Sequence, residues 1–417
     1  MQAARPLQRR TLPMTDQPSR PPFAGWISTT NDITRTFLAA SRVPGLINMA
    51  GGLPEPATFP VAELAEIAAA AIRDHTQDVL GYGPVEGLPE LRDALARRFS
   101  SPDLTLTRDN VFVTSAGMQG LDLVGKVLLE SGQLIACQHP TYLGALDAWR
   151  PRSPTYRNVV LDDPAFDADA ALEGAQFAYT VPNFSNPTGK LVGVATRQAL
   201  VDAAHRTGTW LVEDDPYGTL HYDGEPLPRM IELSARRQPG VPYSGPVVYM
   251  GTLSKEIAPG LRIGWVIAAP AFIEALAMAK LGSDMCTSGL TQRVALAAIE
   301  AGLIEKIQPT ILDTYRRRRD ALCGAMREHL SGWLDWEVPV GGMFVWAVGR
   351  DPSLNTDVLL KHAMAAGVCV APSSVFDATG TNRRALRINF TRNDEGQLIE
   401  GVKRLARAFE GMHGSTK

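Results

Sequence analysis

Most of the chain alternates between two hydrophobic periods, and that alternation constrains its fold more than any other feature. Short apolar runs at 111–114, 134–137, 177–181, 210–212, 247–250 and 265–268 read as strands. Their near-continuous hydrophobicity suits strands buried on both faces of a mainly parallel sheet. Patterns of helical period lie between several of them. Leu121, Val124 and Leu128 mark one, and another runs from Thr196 through Leu200 and Ala204 to a stop at Gly208. Two earlier helices are predicted at 60–74, with Leu64, Ile67 and Ala71 on one side, and at 89–99, with Leu91, Leu95 and Phe99 in register. This order implies an α/β fold whose mainly parallel mixed sheet is flanked by helices.

After about Gly302 the pattern changes. A long charged helix (309–329) is followed by strands at 336–338 and 341–346, a helix at 357–366, and strands at 368–370 and 386–390. Elements in that order predict a smaller α+β domain. The expected division is therefore a leader (1–25), an N-terminal arm with a mobile helix joining the small domain (26–60), a large domain (61–302) and a small C-terminal domain (303–417).

Composition narrows the function. With 45% apolar and 20% charged residues and a net charge of −3, the chain reads as a globular protein with no face basic enough for nucleic acid. The arginine run 316–319 sits in a helical pattern, where a solvated face is expected. No stretch approaches the roughly 18 continuous apolar residues of a spanning helix. The first 25 residues hold five prolines and four arginines without an apolar core, so they read as a disordered leader rather than an export signal, with Met14 as an alternative start. Cys137, Cys286, Cys323 and Cys369 are scattered and form no CxxC pair, and the seven histidines show no ligand spacing. That points to a reducing compartment, the cytoplasm, and away from a metal site.

Four polar motifs follow predicted strands. Ser115-Ala-Gly-Met118 opens a helix, Asn186-Pro-Thr-Gly189 follows the 177–181 run, Asp214-Asp-Pro-Tyr217 follows the 210–212 run, and Gly251-Thr-Leu-Ser-Lys255 follows the 247–250 run. The C-terminal ends of parallel strands are where α/β sheets place ligands. With these motifs, and with Ala50-Gly-Gly-Leu-Pro54, Tyr82-Gly-Pro84, Gly120-Leu-Asp-Leu123, Val212-Glu-Asp-Asp215, Pro259-Gly-Leu-Arg262 and Gly341-Gly-Met-Phe-Val-Trp346, the chain resembles the class I/II, fold-type I aminotransferases that depend on pyridoxal 5′-phosphate (PLP). Within them it is most similar to the branch of 2-aminoadipate, lysine-biosynthetic and kynurenine aminotransferases. The similarity runs from about Ile33 to the end.

The resemblance assigns each residue a task. Lys255 would carry the cofactor as a Schiff base and, once displaced, move the proton of the reaction. Asp214, rather than its neighbour Asp215, would keep the pyridine nitrogen protonated, and Tyr217 and Asn186 would bond the ring 3-oxygen. Tyr142 would stack on the ring. The amides of Gly117 and Met118 at a helix start, with Thr252, Ser254 and Arg262, would hold the phosphate. Tyr82 would reach it from a second subunit of a homodimer. Met118 stands where the family often has glutamine and Thr252 where it often has serine; both changes keep the donor. Arg387 would grip the substrate α-carboxylate in a two-pronged pair beside Gly52 and Asn186, and Arg35 would receive a side-chain carboxylate. The side-chain pocket is expected at 33–38 and 283–289. The reaction implied is ping-pong transfer of an amino group from an L-amino acid to a 2-oxo acid, with 2-oxoglutarate as acceptor. The same scaffold also serves β-lyases, decarboxylases and racemases, and a related effector-sensing domain occurs in transcription regulators. The stretch of about 30 residues before the resemblance shows no helix-turn-helix pattern, which argues against the last.

Overall fold

The computed structural model describes residues 23–29, 36, 40 and 43–414. The chain divides into two units, 1–30 and 31–417. Of the first, the described part is the helical turn Gly25–Thr29 with the two residues before it. The rest of this section concerns the second.

Its strands, in chain order, are β1 (Ile47–Asn48), β2 (Val111–Thr114), β3 (Leu134–Gln138), β4 (Thr155–Val159), β5 (Phe177–Thr180), β6 (Trp210–Asp214), β7 (Val247–Thr252), β8 (Gly264–Ile267), β9 (Leu334–Trp336), β10 (Phe344–Gly349), β11 (Val368–Cys369), β12 (Ala371–Pro372) and β13 (Ala385–Asn389). Seven of them form a mixed sheet in the order β2-β8-β7-β6-β5-β3-β4. All six large-sheet runs read from the sequence are present. The apolar pattern could not give direction: β8 runs antiparallel to both β2 and β7, while the pairs from β7 through β4 are parallel. A strand buried on both faces looks the same in either direction. Because β8 reverses twice, β2 points the same way as β5, β6 and β7. The four motif-bearing strand ends therefore lie on one edge of the sheet.

β4 has no counterpart in the sequence reading. It is an edge strand, Thr-Tyr-Arg-Asn-Val, with only Val159 buried, so it lacks the apolar signature of the others. From β3 the chain moves outward to β4 and then returns to β5 on the other side. The β3/β5 gap is thus a topological switch point, where a crevice opens at the strand ends.

Strand alternation builds two apolar layers. Phe112, Val212, Val248 and Val266 point to the side covered by the helix Gly117–Leu128, through Leu121, Leu123 and Val124. Val111, Val113, Leu211 and Val247 point to the other side, covered by Leu91, Leu95 and Phe99 of the helix Pro89–Phe99 and by Leu200 and Val201 of the helix Val194–Thr207. The latter helix stops at Gly208 (φ 73°), whose left-handed backbone favours glycine.

A four-stranded antiparallel sheet, β12-β13-β10-β9, carries the C-terminal part, and the pair β1-β11 ties the N-terminal segment to it. Two readings need correction here. The long helix spans Leu303–His329, so Pro309 is an interior residue rather than its start. Proline there leaves the carbonyl four residues earlier without its helical donor. The arginine run is a solvated face only in part: Arg316 and Arg317 are exposed, whereas Arg318 and Arg319 are buried. Arg318 pairs with Glu55 at 2.7 Å, and Arg319 with Asp223 and with Asp320 at 2.8 Å. The helix Glu395–Gly414 packs along this long helix and closes the fold.

Candidate active site

The loops leaving β2, β5, β6 and β7 converge on a cavity of about 360 Å³. Gly52, Gly117, Met118, Tyr142, Asn186, Asp214, Tyr217, Thr252, Ser254, Lys255, Arg262 and Arg387 all line it. Tyr142, after β3, and Asn186, after β5, flank the switch point. A cleft of about 510 Å³ at the other end of β6 and β7 is larger, but it holds no comparable convergence of charged groups.

Lys255 lies three residues beyond β7, and its Nζ donates to the Gly52 carbonyl at 2.9 Å. Burial, aided by the neighbouring charges of Arg387 and Arg262, brings its pKa down to about 8. Asp214 ends β6. Burial pushes its carboxyl up to about 7, opposed by a hydrogen bond from the Tyr179 hydroxyl to Oδ2 at 2.6 Å. Period-two alternation separates the three consecutive acids. Glu213 turns away to accept the Met230 and Ile231 amides at 2.8 and 3.0 Å, and Asp215 accepts from the Tyr249 hydroxyl at 3.1 Å on the far side of the sheet. Of the three, only Asp214 faces the cavity.

Arg387 projects from β13, and its guanidinium lies between the rings of Phe344 (4.3 Å) and Phe376 (4.6 Å). Nη1 donates to Asn186 Oδ1 at 2.6 Å and Nη2 to the Ala50 carbonyl; buried Nε has no partner. Burial lowers its pKa to about 10. Among the described residues no carboxylate pairs with it. Asn186 also donates from Nδ2 to the Tyr217 hydroxyl at 3.3 Å, which links the guanidinium to the phenol. Gly52 is required here, since a Cβ would come within 2.8 Å of the Phe344 ring.

At the opposite end, the helix Gly117–Leu128 aims its first amides at the cavity, and such amides have no acceptor within their own helix. Thr252 Oγ1 lies 2.9 Å from the hydroxyl of Ser254 and from the Ile263 carbonyl. The Tyr142 hydroxyl sits 3.5 Å from the Met118 sulfur, and Gly144 leaves room for its ring.

Three contributors were absent from the sequence reading. In the sequence Tyr179 shows only as part of a strand, although its register against Val212 puts it on the same face as Asp214. Phe344 belongs to an apolar strand and Phe376 to the short helical turn Ser373–Phe376, and neither setting hints at a guanidinium between them. Two expected residues lie elsewhere. Tyr82 is 88% exposed and outside the cavity of this one chain, and Arg35 lies outside the described residues. Residues 283–289, expected to shape the side-chain pocket, do not line the cavity; of 33–38 only Thr36 is described, and it does not line it either. Asp284 instead contacts Ser115 and Gln119 behind the Gly117 turn.

Residues 46–405 match the family model described as aminotransferase class I and II. The aromatic-amino-acid aminotransferase 1 of Thermococcus litoralis is 36% identical over 90% of this chain and 91% of its own length. The 2-aminoadipate transaminase of Thermus thermophilus is 33% identical over 91% of this chain and 94% of its own. A crystal structure of kynurenine aminotransferase from Pyrococcus horikoshii superposes with a TM-score of 0.85 at 32% identity, covering 94% of this chain and 97% of that one.

Proposed function

We propose, from the premise that this chain belongs to the class I and II aminotransferases, that it moves the amino group of an L-amino acid to a 2-oxo acid by a ping-pong cycle with pyridoxal 5′-phosphate. We take 2-oxoglutarate as the acceptor. The residues present fit that cofactor. One cavity combines a buried amine of lowered pKa, a buried carboxyl directed inward, and helix amides beside two hydroxyls and Arg262.

When bound, the cofactor supplies an electron sink for the charge left at the substrate Cα. The rest falls to the protein. With a pKa of about 8, Lys255 is uncharged in an appreciable share of molecules near neutrality, so its Nζ can act as nucleophile and later take and return a proton. Asp214, held by Tyr179, keeps a proton on the pyridine nitrogen. Asn186 and Tyr217 would bond the ring oxygen, and Tyr142 would pack against the ring. Gly117 and Met118 amides, Thr252, Ser254 and Arg262 hold the phosphate. Arg387 binds the α-carboxylate of donor and acceptor in turn, which fixes Cα against Lys255.

The observation that carries this reading is Arg387 itself: buried, flanked by two rings and with no carboxylate partner among the described residues, in the same cavity as Lys255 and Asp214. The test is an absorption titration with L-amino acids. A band at roughly 360–430 nm that moves toward about 330 nm with donor and returns with 2-oxoglutarate is the expected result. A protein that takes up no PLP would overturn the reading.

Two further parts belong to the proposal. The active enzyme is a homodimer in which Tyr82 reaches the phosphate of the second copy. Exposed Leu80 and Tyr82 supply apolar surface for that contact. The protein works in the cytoplasm, which its free cysteines support; among the described residues no helix is long and apolar enough to cross a membrane. The division into a large part (61–302) and a small part (303–417) is retained on the same footing.

A further inference from the structure

The turn that presents Gly117 and Met118 contains an L-residue in a conformation close to glycine-only. Ala116 has φ 70° and ψ 174°. Such backbone persists only where its surroundings enforce it. The turn also leans on β8, for a Cβ at Gly264 would lie 2.9 Å from the Ala116 carbonyl carbon and 3.0 Å from the Gly117 nitrogen. Without restraint, the chain would relax to negative φ and swing the two amides away from the cavity.

Directly behind the turn is a polar cluster that the reaction does not use. Gln119 Oε1 accepts the Ser115 amide at 2.8 Å and Lys280 Nζ at 2.6 Å. Gln119 Nε2 donates to Asp284 Oδ2 at 2.6 Å, and the same oxygen accepts the Ser115 hydroxyl at 3.1 Å. Lys280 closes the ring on Asp284 Oδ1 at 2.6 Å. A lysine can only donate and a carboxylate can only accept, so together they fix which way the Gln119 amide faces. Its oxygen is thereby directed at the Ser115 amide, one residue before Ala116. The Lys280 side chain is 0% exposed, a costly place for a cation that an apolar residue could fill. Asp284 is itself anchored, its amide bonded to the Lys280 carbonyl at 3.2 Å at the end of the helix Pro270–Leu281.

We propose that Lys280, Asp284 and Gln119 are positioning residues, a clamp that holds the Ala116 turn in its strained form so that the phosphate donors face the cavity before the cofactor arrives. The inference rests on the PLP reading above. The test is the dissociation constant of PLP, read by absorbance on refolded or stripped enzyme, for Asp284→Ala in the wild-type and the Ala116→Gly backgrounds. Glycine adopts the required φ without restraint. In the wild-type background Asp284→Ala raises the constant roughly tenfold; with Ala116→Gly the same change costs about threefold or less. Should Asp284→Ala fail to fold, the double change Lys280→Met/Asp284→Asn, which leaves no unpaired charge, takes its place in both backgrounds. Unaltered PLP affinity in the clamp variant, or an equal loss in both backgrounds, overturns the clamp. Wild-type protein that binds no PLP overturns the earlier reading instead.

Discussion

Arg197 and Arg387 are both buried, yet the protein treats them in opposite ways. Arg197 lies in the helix Val194–Thr207. It gives Nε to Val192 O (2.8 Å), Nη1 to Pro228 O (3.0 Å), and Nη2 to Pro182 O (3.2 Å) and Asn183 Oδ1 (2.6 Å). Its donors are spread over four acceptors that belong to the fold. Among the described residues Arg387 has two such bonds and a buried Nε without a partner, with aromatic rings on either side where a carboxylate would ordinarily be found. A buried cation with spare donors is costly unless a ligand completes it. Of these two, the arginine saturated by acceptors of the fold marks architecture, and the one with a spare donor and no carboxylate among the described residues marks a site.

The sharpest way to break this comparison is at the amine that shares the cavity with Arg387. Lys255→Ala removes the covalent route, so kcat falls by several orders of magnitude while circular dichroism and melting stay close to wild type. Substantial turnover in that variant would remove the cavity from consideration as the active site. Next comes Arg387→Ala, expected to weaken donor and acceptor alike by about 2–5 kcal/mol in kcat/KM. A loss confined to one substrate would mean the guanidinium does not serve a shared α-carboxylate.

The opposite signature belongs to Arg197→Met. Here unfolding stability drops by roughly 3 kcal/mol in a denaturant titration, because several buried acceptors lose their donor, while kcat/KM per folded molecule changes by less than about twofold. A substrate-binding defect with normal stability would reverse the assignment. The smallest effect is a slope. Burial raises the Asp214 pKa from 3.8 to about 7, so the folded cofactor-free protein keeps a proton that the unfolded chain releases. Stability from this group is present below about pH 4 and is lost as pH rises through 7. Asp214→Asn should flatten that part of the pH–stability curve; Glu213, shifted the same way, leaves the remainder. An unchanged curve would mean that burial does not hold the Asp214 proton in the folded protein.

Much of the site was legible because it is local. Each motif follows an apolar run directly, so strand ends and motifs could be read together, and twelve of the expected residues line one cavity. What escaped was relational. Nothing in the run around Tyr179 indicates that its hydroxyl meets Asp214, 35 residues on. Phe344 and Phe376 read as ordinary core. The arginines 318 and 319 carried a surface signature but are buried by partners as distant as Glu55 and Asp223. Polar β4 had no apolar run to announce it.

By itself, the sequence determined the two periods, the positions of six of the seven strands of the large sheet, the motifs at their ends and the family to which these belong. Those are set within a few residues, by which side chains repeat on one face. Tertiary structure alone decided the reversal of β8, the Tyr179 hydroxyl that meets Asp214, and the bond between Arg387 and Asn186, 201 residues apart. It also decided the strain at Ala116 and the cluster behind it. The physical reason is that burial on a face is a local property, whereas partner, direction and strain depend on what the rest of the chain brings alongside.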